Sequence, residues 1–181
     1  MHQGLWKKAE ELELQVVETR KRVLGKEHPY TLTGMANLAE TYRNQGRWKE
    51  AEELCVQAIE MRKRVLGVEH PSTLTSRTNL ASTYRNQGRW KEAEELDVQV
   101  IETRKRVLGA EHPDTLTSMN NLARTWKGLR RDKEAIALMK ECVQLREHVL
   151  GSDHPFTLSS RKALIQWDKG NKELESSGVL G

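Results

Sequence analysis

The chain is poor in the features that usually brace a small protein. Its 181 residues include two cysteines, four prolines, one phenylalanine and three tyrosines. Cys55 and Cys142 show no C-x-x-C spacing, and no Asn-x-Ser/Thr sequon occurs. A disulfide framework is therefore excluded, and a reduced, intracellular, cytoplasmic setting is expected. No apolar run approaches the roughly 18 residues of a membrane span. The segment from Met1 to Leu14 is charged throughout and lacks the apolar stretch of a signal peptide. A strong charge of one sign is missing as well, since 30 basic residues against 26 acidic ones leave a formal charge of +4. That mild excess suits acidic partners but falls short of a nucleic-acid signature. Hydrophobic residues make up 36% and charged residues 31%, too lean for a spherical two-layer domain. A thin core running along an elongated helical array fits this balance better.

What the chain does have is a period. His28-Pro29, His70-Pro71, His112-Pro113 and His154-Pro155 step by 42 residues, as do Gly25, Gly67, Gly109 and Gly151. The stretch TYRNQGRWKEAEEL occurs twice without change, at Thr41–Leu54 and Thr83–Leu96. A fixed period of this size means a solenoid or a propeller. Hydrophobic spacing separates the two. Leu74, Leu80, Ala81 and Tyr84 share one face, and Trp90, Ala93, Leu96, Val100, Ile101 and Val107 share another. Both sets step by three and four, so both segments are amphipathic helices with Gly88 as the turn between them. Each His-Pro pair ends one helix and starts the next, because proline fits a first helical turn and disfavours helix in the residue before it.

The expected organisation is a lone B helix at about 5–24, three A–B pairs at 29–66, 71–108 and 113–150, and a closing A helix at 155–169. These form one array over 1–170, followed by a disordered tail at 171–181. A chain cut out of register with its own repeats is expected to be a fragment of a longer array, or one whose ends act as caps.

The pattern N-L-A-x-T-Y, then Gly, then A-E-E-L resembles the tetratricopeptide repeat. Leu38, Ala39, Tyr42, Gly46 and Ala51 match it, as do Leu80, Ala81, Tyr84, Gly88 and Ala93, while Leu122, Ala123, Trp126 and Ala135 match with the aromatic exchanged. The 42-residue form is similar to kinesin-light-chain repeats, and more closely to the arrays of fungal NB-ARC-type, NLR-like proteins. The resemblance implies an all-α, right-handed superhelical α-solenoid of antiparallel helix pairs. The third repeat departs from the pattern, with Arg130 at the turn position and Asp132 in place of the helix-B tryptophan. The last A helix carries Ile165 where a small residue belongs and Asp168 where the aromatic belongs, and reads as a degenerate cap. Glu13, Cys55, Asp97 and Met139 occupy the helix-B aromatic position, and Asp97 is not expected to be a buried functional acid.

Catalysis finds no foothold, and the chain is not expected to be an enzyme. One histidine per repeat would place the four imidazoles about 10 Å or more apart, whereas zinc needs its nitrogen ligands near 2 Å from one ion. They are expected to cap or pack in the turns, with no metal and no cofactor. Cys55 and Cys142 fall on apolar helix faces, and Trp48 and Trp90 are expected to pack within their repeats. No Gly-rich phosphate loop is present.

A binding surface remains. In arrays of this resemblance the A helices line a concave groove that receives an extended peptide. Helical projection places Thr33, Ala36, Asn37, Glu40, Arg43 and Asn44 on that face in the first repeat. The second contributes Thr75, Thr78, Asn79, Ser82, Arg85 and Asn86; the third, Thr117, Asn120, Asn121, Arg124 and Lys127; the last, Ser159, Lys162, Ala163, Gln166 and Lys169. Glu40 is the one acid among six cations, so the groove is expected to be basic and to suit an acidic ligand. The resemblance implies that Asn37, Asn79 and Asn121 bond a ligand backbone, since an amide offers both donor and acceptor. Several differences between the first two repeats fall on helix A, at Gly34/Ser76, Met35/Arg77, Ala36/Thr78 and Glu40/Ser82, the last two pairs on the groove face, as if the scaffold were copied and recognition diversified.

The leading expectation is a scaffold that binds an acidic or extended peptide segment. Self-association through open repeat ends, giving a homo-oligomer, is one alternative, and a ligand-sensing array of an NLR-like protein is another. Nucleic-acid binding through Arg-Lys-Arg at 20–22, 62–64 and 104–106 is disfavoured, because no aromatics accompany them for base stacking.

Overall fold

In the computed structural model of the chain, the backbone of residues 2–176 and the side chains of residues 7–171 are described. Eight helices are present among them: α1 (His2–Leu24), α2 (Pro29–Asn44), α3 (Trp48–Leu66), α4 (Pro71–Asn86), α5 (Trp90–Leu108), α6 (Pro113–Gly128), α7 (Asp132–Leu150) and α8 (Pro155–Ser176). They follow one another as consecutive antiparallel pairs. The even-numbered helices are the A helices and the odd-numbered ones the B helices. α8 runs to Ser176, past the expected end at 169, and residues 177–181 of the expected tail lie outside the described residues.

Each A helix begins on a histidine. Nδ1 of His28, His70, His112 and His154 accepts the backbone N–H of Tyr30, Ser72, Asp114 and Phe156 at 3.1–3.2 Å. The imidazole thus satisfies one of the orphan amides at a helix start, work more often done by Ser, Thr, Asp or Asn. Proline follows at the first helical position, where its missing N–H costs nothing. The hydroxyls of Thr31, Thr73 and Thr115 then donate to the carbonyls of Gly25, Gly67 and Gly109 at 2.8–2.9 Å, tying each A helix to the end of the B helix before it.

The chain divides into two compact units, Met1–Leu96 and Asp97–Gly181, with the division inside α5. In the first unit, Val17, Leu32 and Met35 form one apolar cluster, Leu38, Tyr42 and Ala51 a second, and Ala39, Cys55, Ile59 and Leu80 a third. In the second unit, Leu116, Met119, Leu122 and Cys142 pack with Ile101, and Ala123, Met139 and Val143 pack with Leu164 and Trp167. In both units the cores are thin layers between neighbouring helices. Complete burial of a Leu or Met in such a layer contributes about 1.5–3 kcal/mol.

The repeated fourteen residues owe their constancy to the seam between repeats. Arg47 lies over the Tyr42 ring with its guanidinium carbon 4.1 Å from the centroid, and Arg89 lies over Tyr84 at the same distance. Gln45 and Arg47 bond Glu10 of α1 at 3.0 and 2.6 Å, while Gln87 and Arg89 bond Glu52 of α3 at 2.8 and 2.9 Å. One copy of the sequence therefore supplies Gln45 and Arg47 to the seam before it and Glu52 to the seam after it.

Candidate functional site

The A helices bury one side and expose the other. In α2, Leu32, Met35, Leu38, Ala39 and Tyr42 are buried, while Thr33, Asn37, Glu40 and Asn44 are exposed. Asn79, on the corresponding stripe of α4, borders a small crevice with Glu40 and Arg43, so the two stripes lie side by side in the first unit. In the second unit Ser160 of α8 donates to Asn120 Oδ1 of α6 at 3.1 Å, which places those two helices side by side as well.

The predicted site residues divide by what they already bond. Arg43 reaches Glu40 at 3.3 Å, Arg85 donates to the Ser82 hydroxyl at 2.6 Å, and Lys127 pairs with Asp132 at 2.7 Å. Asn120 is engaged by Ser160. Arg124, Lys162 and Lys169 are exposed and make no ion pair among the described residues. The amides of Asn37, Asn79 and Asn121 likewise make no side-chain hydrogen bond among the described residues. The second unit thus carries three uncompensated cations beside a free amide.

Beneath these faces lies a feature that sequence reasoning missed. The first arginine of the second and third Arg-Lys-Arg triplets turns inward, so that Arg62 and Arg104 are buried, together with Arg146 at the next period. Arg146 Nη1 donates to the Phe156 carbonyl at 2.9 Å and to Ser160 Oγ at 2.6 Å, while Nη2 reaches the Leu116 carbonyl at 3.5 Å and Thr117 Oγ1 at 3.4 Å. Arg104 repeats the pattern on Asp114 and Ser118 at 3.0 and 2.9 Å, and Arg62 bonds Ser72 and Ser76. Burial lowers the pKa of all three, and they remain cations. The signal was available in the sequence: arginine at 62, 104 and 146 always has serine fourteen residues later.

Two other expectations are corrected. Asp97 is buried, and its Oδ2 accepts a 2.6 Å hydrogen bond from the Thr125 hydroxyl. A short carboxylate at the position of the missing aromatic finds a threonine partner instead of projecting into solvent. Trp48 is 40% exposed beside Arg47 and Gln87, so it covers the loop rather than filling the core. Cys55 and Cys142 are buried free thiols, and burial pushes Cys55 up to about 11. Among the described residues no group of three or more His, Cys, Asp or Glu could hold a metal ion. No described helix is long and apolar enough to cross a membrane.

Tetratricopeptide repeat models match residues 34–105 and 78–147, and a second model of the same repeat matches residues 1–30. The chain belongs to the tetratricopeptide repeat family. Among solved structures it is similar to a Podospora anserina protein with nearly identical TPR-like repeats, described as a candidate kinesin light chain. The identity is 34%, with a TM-score of 0.76 over 99% of this chain and 85% of that one. A point variant of that protein matches at the same identity with a TM-score of 0.77, covering 99% of this chain and 84% of that one. BtubC (BKLC) from P. vanneervenii shares the fold at 20% identity, with a TM-score of 0.78 over 96% of this chain and 70% of that one. No curated protein matches. Repeat arrays of this family are in general protein-interaction modules and typically non-catalytic.

Proposed function

We propose that this tetratricopeptide array is an interaction scaffold whose A-helix faces bind an extended, acidic peptide segment. The observation that carries the reading is Arg124, Lys162 and Lys169, exposed on α6 and α8 without an acidic partner among the described residues. A solvated face with no ligand to attract would more often mix both signs. Asn37, Asn79 and Asn121 support it, since each leaves an amide free to pair with the N–H and C=O groups of an extended chain. The guanidiniums fix carboxylates and the amides fix the backbone. The same faces would serve a ligand-sensing array in an NLR-like protein.

Fluorescence anisotropy with a labelled Asp/Ser-rich peptide tests the reading. Two double variants, Arg43→Glu with Arg85→Glu and Arg124→Glu with Lys162→Glu, are expected to bind about tenfold more weakly or worse. They are also expected to flatten the dependence on salt, because fewer screened charge pairs remain. Unchanged affinity in both variants sinks the proposal.

A further inference from the structure

Ser76, Ser118 and Ser160 are buried and each accepts a hydrogen bond from a buried arginine, but one of them passes on its own proton differently. Ser76 and Ser118 donate to the carbonyls of Ser72 and Asp114, one turn back in their own helices, at 3.2 and 3.1 Å. Ser160 donates instead to Oδ1 of Asn120 on the neighbouring α6, at 3.1 Å. A guanidinium has only protons to give, so the hydroxyl that accepts from Arg146 keeps its one proton for a further acceptor. That acceptor is the carbonyl end of the Asn120 amide. The oxygen is thus held against a buried hydroxyl, and the N–H donors on Nδ2 are the free end, with no partner among the described residues. Ala36 and Thr78 stand at the equivalent of Asn120 in α2 and α4, and Thr78 gives its hydroxyl proton to the Leu74 carbonyl. Neither presents such a donor.

The charge around that donor end has one sign. Arg124 follows Asn120 by four residues on α6, which puts the two side chains on neighbouring positions of one helix face. It is exposed and makes no ion pair among the described residues. Behind the face, Arg146 is 4% exposed and bonds only neutral oxygens, Thr117 Oγ1 of the same stripe among them. Burial lowers the pKa of Arg146, and the charge of Arg124 lowers it further. No acidic side chain relieves that repulsion among the described residues. We infer that Asn120 and Arg124 form a subsite for one carboxylate of the bound peptide, with Asn120 held as a donor by Arg146 through Ser160. The inference rests on the reading of the array as a peptide-binding scaffold, and it locates where an Asp or Glu side chain is read. A carboxylate offers only acceptors, takes N–H groups from Asn120 and Arg124, and is attracted by both guanidinium charges. An Asn or Gln side chain in its place carries no charge and brings N–H groups of its own against donors. Ser160 and Arg146 are positioning residues, since they act on the ligand through Asn120.

Fluorescence anisotropy with a labelled Asp/Ser-rich peptide and its Asn/Ser-rich counterpart tests this. The readout is the ratio of the two Kd values, which a partial loss of folded chain leaves unchanged. The native chain is expected to prefer the acidic peptide by about tenfold or more. Asn120→Asp keeps an oxygen for Ser160 but replaces the donors by a negative charge, and should cut the ratio about tenfold. Ser160→Ala frees the amide to turn and should cut it about threefold. Ser118→Ala removes the same kind of arginine–serine bond at the previous seam, and should leave the ratio as it was whatever it does to stability. Ser160→Cys replaces a Ser160→Ala chain that loses helicity by circular dichroism. An unchanged ratio in either the Asn120 or the Ser160 variant, with the acidic peptide still bound, overturns the inference and leaves the scaffold reading standing. So does an equal fall in Ser118→Ala, because the serine would then act only through packing. A native chain that binds neither peptide overturns both.

Discussion

Arg146 of α7 donates from Nη1 to the hydroxyl of Ser160 on α8 across 2.6 Å, at a site buried from solvent. Its other partners, the carbonyls of Phe156 and Leu116 and the hydroxyl of Thr117, are also neutral oxygens. A guanidinium can occupy such a place because its planar fork reaches several acceptors and its charge is weakly hydrated. The geometry joins three helices through one side chain and leaves a positive charge unneutralised beneath the face that carries Arg124 and Lys162.

Arg146→Ala is expected to destabilise the chain by about 2–3 kcal/mol, since the buried oxygens it served lose their donor and the aliphatic stem leaves a void. Arg146→Lys should recover only a part, because a single ammonium cannot serve both the Phe156–Ser160 side and the Leu116–Thr117 side, which the guanidinium reaches with separate nitrogens. Urea unfolding followed by circular dichroism gives the comparison. Equal stabilities of the Lys variant and the native chain would show that the fork geometry is irrelevant.

The first seam lacks this lock. Arg20 reaches the Tyr30 carbonyl at 2.9 Å, but the residue fourteen positions on is Gly34 instead of serine. A Cβ placed there would lie 3.0 Å from Val17 Cγ2 and 3.5 Å from Arg20 Nη1. The equivalent positions at the last seam hold Val143 and Ser160, so this pair of residue types already coexists elsewhere in the array. Gly34→Ser is thus expected to stabilise the first unit by about 1 kcal/mol, combining relief of glycine's helix cost with a new hydrogen bond. A loss of stability on urea unfolding would mean that Val17 cannot give way.

Arg130 has φ of 62° at the turn where Gly46 and Gly88 have 78° and 76°. Only glycine adopts this region without steric cost, and a non-glycine residue there costs about 1–2 kcal/mol. Arg130→Gly should raise stability by about 0.5–1 kcal/mol, the gain being trimmed by glycine's greater freedom in the unfolded chain. The midpoint of urea unfolding checks the sign.

Much of this was legible in the sequence because the repeat imposes each residue's surroundings several times over. The His-Pro starts, the glycine turns, the buried leucines and the exposed stripe of α2 all follow from period and helical spacing. What was hidden depended on pairing across the seam. Gly34/Ser76 reads as one of the helix-A differences outside the two pairs placed on the groove face, yet Ser76 is the buried acceptor for Arg62, fourteen positions before it. The repeat pattern does not predict Asp97 as a buried functional acid, and the partner that accompanies its burial, Thr125, lies 28 positions away. The end of α8 was set too early, since polar residues after 169 can extend a helix as readily as they end it.

The Glu10 and Glu52 contacts make the first unit sensitive to acid. Hydrogen bonding to Arg47 holds Glu10 below the ordinary glutamate value of 4.5. Burial alone would raise Glu52, but the hydrogen bonds from Gln87 and Arg89, with the charge of Arg89, outweigh it and leave that carboxyl lowered too. A carboxyl whose folded pKa is depressed contributes stability that is present above its unfolded value and is lost as pH falls through the folded one. The native chain should therefore lose stability progressively below about pH 4.5, as the unfolded state takes up protons first. The arginines are partly solvated, so each pair contributes no more than about 1 kcal/mol, and added salt shrinks it. In a Glu10→Gln, Glu52→Gln chain the hydrogen bonds can persist but nothing at these positions titrates. Its urea midpoint should start lower at pH 7 and fall less between pH 5 and pH 3. Parallel acid limbs in the two chains would place the acid sensitivity at other carboxylates.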